Sequence, residues 1–143
     1  MTKTIVKFFI LSIFSSLALY AEGLTWVNDP KTAFTLAKKE HKIVMFMVEG
    51  MHCRWCIKMK RRTLADETVR AKLASYVLVK VMREDKSTIK DLPHIQGVPS
   101  IFFMTADKKI LESVIGYFNI EDFLSYISDV EKKVLDNSGN QNK

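Results

Sequence analysis

A six-residue apolar run, Ile43 to Val48, ends in Glu49-Gly50 and passes almost at once into a cysteine pair, Cys53 and Cys56. The run sits behind Lys42 and is too short for a membrane span, so it reads as a strand buried on both faces. A strand with no solvent face needs a sheet covered on both sides by helices, which puts the chain in the α/β class. The pair is set where strand passes into helix. From Cys53 to about Leu73 the apolar residues Ile57, Met59, Leu64, Val69 and Leu73 recur at helical spacing, with a break expected between Thr63 and Glu67.

The flanking segments extend this pattern. Residues 29–40 read as a helix with Asp29 as N-cap and Pro30 at its first position, its apolar stripe being Ala33, Leu36 and Ala37. Residues 76–82 form a second strand, 100–104 a third and 109–115 a fourth. The last two are joined by Ala106-Asp107-Lys108 as a hairpin. One short helical turn is expected before Pro93. Asn119 caps a final helix near 120–135, with Phe123, Leu124, Ile127, Val130 and Val134 inward. The expected architecture is a central mixed sheet of about four strands flanked by helices.

Residues 1–21 are set apart. Lys3 and Lys7 precede an apolar stretch from Phe8 to Leu19, and Ala21 closes it before Glu22. This is the order of a secretory signal peptide, with cleavage expected after Ala21; the alternative is an uncleaved anchor. Both place the remainder outside the cytoplasm. The domain is then expected over 22–136, with a polar, flexible tail at 137–143. Without Lys3 and Lys7, the 22 basic residues become 20 against 16 acidic ones, a net +4. Acids interleave with most of the cations, so nucleic acid is not an expected partner. The basic run at 58–62 reads as a solvated helix face.

Two cysteines three positions apart in an oxidising compartment can be inert, structural, metal-binding or catalytic. A structural staple is a poor use, because the loop closed is so small. At a helix start, orphan N–H groups favour a thiolate on Cys53. Cys56, about one turn later, is placed to close a disulfide with it. His52 and Arg54 add positive charge nearby, and the chemistry needs no cofactor. Trp55, between the cysteines, is expected to be exposed as a docking surface. Glu49 shares the strand face of Met47 by parity and is read as a solvated strand-end acid, with a proton relay as the other reading. Trp26 is read as packing at the start of the domain, and His41 and His94 as surface or loop residues.

Residues 26–40, 42–59 and 96–131 resemble the thioredoxin superfamily, most closely exported bacterial thioredoxin-like proteins with a lone C-x-x-C pair. The second motif that carries the resemblance is Gln96-Gly97-Val98-Pro99-Ser100-Ile101-Phe102-Phe103. The resemblance implies that Pro99 is cis and faces the disulfide, that Val98 offers its backbone to a substrate strand, and that Gly116 before Tyr117 lines the groove. It also implies dithiol–disulfide exchange with protein thiols by a monomer, leaning towards reduction and recharged by a membrane-bound thiol donor. Arg54-Trp55 stands where thioredoxins have Gly-Pro, and Met47 where they have a buried acid. The rival reading is a soft-metal binder holding Cu(I) in the loop Gly50-Met51-His52-Cys53-Arg54-Trp55-Cys56.

Overall fold

The computed structural model describes residues 23–139, with side chains through Asn137. The signal-peptide expectation at 1–21 and the end of the tail at 140–143 lie outside the described residues. The chain runs β1 (Trp26–Val27), α1 (Pro30–Glu40), β2 (Val44–Glu49), α2 (Arg54–Lys58), a π-helical turn (Met59–Thr63) and α3 (Glu67–Leu73). Then follow β3 (Val77–Met82), α4 (Lys86–Ile89), β4 (Ser100–Met104), β5 (Ile110–Ile115) and α5 (Ile120–Gly139).

The sheet is mixed, in the order β1-β3-β2-β4-β5. β2 lies parallel to β3 and antiparallel to β4, and β4 and β5 form the expected hairpin. β1 makes the count five rather than about four. It is only two residues long, parallel to β3 through Trp26↔Leu78 and Val27↔Val79, so it leaves no alternation to read.

All six residues of β2 are buried, and alternation divides them between two cores. Met45 and Met47 point with Leu78, Ile101 and Phe103 into the core under α2, α3 and α5. Val44, Phe46 and Val48 point with Val77, Val79 and Phe102 towards Ala33, Phe34 and Ala37 of α1. Each large side chain so buried stabilises the fold by roughly 1.5–3 kcal/mol. That two-sided burial fixes the end of β2, and with it the loop that carries the cysteines.

The helix ends follow their sequence signals. Asp29 accepts from the N–H groups of Lys31 and Thr32 at the start of α1, and His41 closes that helix in a left-handed conformation. Asp66 caps α3 across the expected break, accepting from Thr68 and Val69. Asn119 Oδ1 accepts from the N–H of Asp122 at 2.9 Å and starts α5. That helix continues to Gly139, past the boundary set at 136. Asp136, Asn137 and Ser138 are weak helix formers, but the first strong stop is the glycine.

Candidate active site

The end of β2 leads into a turn in which the N–H of Cys53 donates to the carbonyl of Gly50 at 3.2 Å. His52 occupies the left-handed region of this turn, with φ 57°. Cys53 is the N-cap of α2 and is joined to Cys56 by a disulfide, the two Cα atoms 5.2 Å apart. The N–H of Cys56 points at Cys53 Sγ, 3.1 Å away. The two sulfur-bearing residues differ sharply in access: Cys56 is 2% exposed among Met47, Met59 and Ile101, whereas Cys53 is half-buried at the surface.

Val98, just before β4, lies against the cysteine loop, and its peptide bond to Pro99 is cis. A Cβ on Gly50 would stand 2.9 Å from Val98 Cγ2 and 3.8 Å from Cys53 Cβ. The cysteine loop and the proline loop are therefore in close apposition, with room at residue 50 for hydrogen only. Gly116 is tied to the proline loop. Its N–H donates to the carbonyl of Pro99 at 2.8 Å, and its φ of +100° is one that a side chain would strain.

Trp55 is 56% exposed. Its ring stacks on Tyr117 with centroids 5.8 Å apart, and Lys58 Nζ lies 5.0 Å from the Trp55 ring and 4.2 Å from the Tyr117 ring. Cations over ring faces are attracted by the aromatic quadrupole. Met51, in the cysteine loop, and Ile115, next to Gly116, are also exposed apolar residues.

Glu49 is not a solvated strand-end acid. It is 9% exposed, and Lys60 Nζ lies 2.8 Å from Oε1 and 3.0 Å from Oε2. Oε2 takes the directed hydrogen bond; Oε1 touches the same ammonium off the hydrogen-bond direction and accepts no other. The reason is positional. Lys60 follows Cys56 by four residues, on the side of the helix that faces the sheet, and its long stem reaches the end of β2. Lys58 and Lys60 have partners, but Lys58 stays exposed and Lys60 only partly buried, so the basic run is the solvated helix face expected of it. Arg61 and Arg62 are exposed.

Several residues at the site carry no signal in the sequence. Thr63 is fully buried and donates to the carbonyl of Phe118 at 2.5 Å, tying the π turn to the segment after β5. Arg83, at the end of β3, donates its N–H to the carbonyl of Glu49 at 2.7 Å, and its Nη2 lies 3.8 Å from the Cβ position of Gly50. Glu84 Oε1 accepts from the N–H of Met51 at 3.3 Å. These are contacts between segments far apart in the chain. Tyr117 is the exception, standing next to a glycine already singled out. His52 and Arg54 are exposed.

The family model Thioredox_DsbH, described as a protein of unknown function, DUF255, matches residues 16–122. The chain belongs to this family. Among solved structures, the Thioredox_DsbH chain is similar to a thioredoxin from Thermus thermophilus, with a TM-score of 0.64 and 23% identity over 76% of this chain and 88% of that one. It is also similar to a structure titled DsbH oxidoreductase, with a TM-score of 0.61 and 21% identity over 85% and 91%. The oxidised C-terminal domain of DsbD from Neisseria meningitidis follows at 0.59 and 18%, covering 76% and 99%. No curated protein is similar in sequence at a significant level. The Thioredox_DsbH chain thus carries a thioredoxin-like fold with a C-x-x-C disulfide at the place where this fold joins its buried strand to a helix.

Proposed function

We propose that this protein is an exported thiol–disulfide oxidoreductase that exchanges disulfides with protein substrates, Cys53 attacking and Cys56 resolving. The observation that carries this is the asymmetry of the pair: one disulfide joins a surface sulfur, aligned with a backbone N–H, to a sulfur sealed in the core. In the reducing direction the Cys53 thiolate attacks a substrate disulfide, forming a mixed disulfide and releasing one substrate thiolate. The Cys56 thiolate then attacks Cys53 Sγ and expels the second, so two electrons pass to the substrate and the protein keeps the disulfide. Glu49, ion-paired with Lys60 at the end of the strand that leads into the cysteine loop, is the candidate to relay a proton to and from the pair.

Trp55, Val98, Pro99 and Gly116 form the groove in which a substrate strand lies. Its exposed apolar rim fits an unfolded or extended protein segment better than a small thiol. Arg54 adds positive charge at its mouth, with the exposed His52 beside it. The domain runs from residue 22 through the end of α5, the leader at 1–21 directs export, and the protein works as a monomer without a cofactor. The lean is towards a reductase recharged by a membrane-bound thiol donor; a relative of this fold is the C-terminal domain of DsbD. A reductant of this kind has a potential near that of thioredoxin, about −270 mV, rather than the roughly −120 mV of a strong periplasmic oxidant.

The test is reduction of insulin disulfides by the dithiol form, read beside a Cu(I) titration of the same sample. Catalysed insulin reduction is the expected result. Tight Cu(I) binding without thiol exchange would replace this reading with the soft-metal one.

A further inference from the structure

The charged groups around Cys53 come from four directions. On its own segment, His52 and Arg54 are exposed to solvent. From β2 comes Glu49, whose charge is already matched by Lys60. From the end of β5 comes Tyr117, with Lys58 committed to its ring. The proline loop, Gln96 to Pro99, brings no charge. From the end of β3 come Arg83 and Glu84, and these two are held by the sheet itself. The backbone N–H of Arg83 is bonded to the carbonyl of Glu49, which fixes where its side chain starts. Its Nη2 and Cys53 Cβ both lie 3.8 Å from the point where a Cβ on Gly50 would be, so they flank the same glycine.

Glu84 works against this cation. Its Oε1 lies 4.0 Å from Arg83 Nη2 while accepting from Met51 in the cysteine loop. Its carboxyl is held below the usual carboxylate range, first by the backbone N–H of Glu84 and also by that of Met51 and the charges of Arg83 and Lys86. It is therefore an anion at neutral pH. We propose that Arg83 is a positioning residue for the attacking thiolate, its guanidinium over Gly50 stabilising the negative sulfur of Cys53 and Glu84 limiting that effect. This rests on the oxidoreductase reading, in which Cys53 works as a thiolate, and names a residue that sets how much of it is present.

The test is the pH dependence of Cys53 alkylation by iodoacetamide in a Cys56→Ser background, where Cys53 is the only thiol. Arg83→Gln raises the alkylation midpoint by several tenths of a unit up to about one unit, the range for a partly exposed charge near a thiolate. Arg83→Lys keeps most of the original value. Glu84→Gln moves the midpoint the opposite way, since Gln still accepts from Met51 but no longer offsets the guanidinium. The differences shrink in high salt. An unchanged midpoint in Arg83→Gln, or shifts of the same sign in Arg83→Gln and Glu84→Gln, overturns the proposal. Neither result depends on whether insulin is reduced, so failure of the oxidoreductase reading is recognised separately.

Discussion

Gly50 shows how much of the site rests on single atoms. Its missing side chain lets the valine of the proline loop lie against the loop that carries Cys53; a Cβ there meets Val98 Cγ2 at 2.9 Å. Gly50→Ala is expected to leave the fold intact but push Val98 from the groove, slowing exchange with a protein disulfide roughly tenfold or more. Stopped-flow rates with protein and with small-molecule disulfides check this, the small ones being less affected. Thr63 belongs at the same scale. Thr63→Val keeps the volume but leaves the carbonyl of Phe118 without its buried donor, an expected cost of about 1–2 kcal/mol in urea unfolding. Neither role shows in the sequence, because each depends on a partner more than forty residues away.

At the scale of elements, what could be read in advance is what chain-local chemistry decides. The apolar run of β2, the Asp29 and Asn119 caps and the hairpin of β4 and β5 are each specified within a few residues, and each is present. β1 is decided by pairing with β3 and has only two residues, so no local pattern marks it. Parity puts Glu49 on the Met47 face of β2, but its ion pair depends on where the helix carries Lys60. Of the site, the cysteines, Trp55 and the proline loop were legible as motifs, whereas Arg83 and Glu84 reach it only through the parallel pairing of β2 with β3. The caps are testable: Asn119→Ala removes the acceptor for Asp122 and is expected to cost about 1 kcal/mol, read from the urea midpoint. The core between sheet and α5 is less forgiving. Phe103 is fully buried with its ring against Tyr76 and Phe123, and Phe103→Ala is expected to cost roughly 3–5 kcal/mol.

For the whole molecule, pH acts on stability from two sides. Asp29, Glu84, Asp85, Asp91 and Glu112 all have carboxyls lowered from their ordinary values of 3.8 or 4.5, chiefly by hydrogen bonds from Thr32, the Glu84 backbone, Ser87, Lys108 and Lys133 respectively. A lowered folded-state pKa means that the unfolded chain takes up protons first, so this stability is present above about pH 4.5 and lost as pH falls below it. Tyr76 acts in the other direction. Burial pushes its phenol up to about 12, helped by the charge of Glu131, so stability holds below pH 10 and declines between about 10 and 12. Thermal unfolding across pH checks both arms, and Tyr76→Phe should flatten the alkaline one. The central claim concerns which sulfur meets the substrate. It is tested most directly by mass spectrometry of the covalent complex formed with a disulfide-bonded peptide. A mixed disulfide trapped on residue 53 in Cys56→Ser, and none in Cys53→Ser, is what the half-exposed and buried sulfurs require. A stable adduct on Cys56, or no adduct in either variant, would contradict the account.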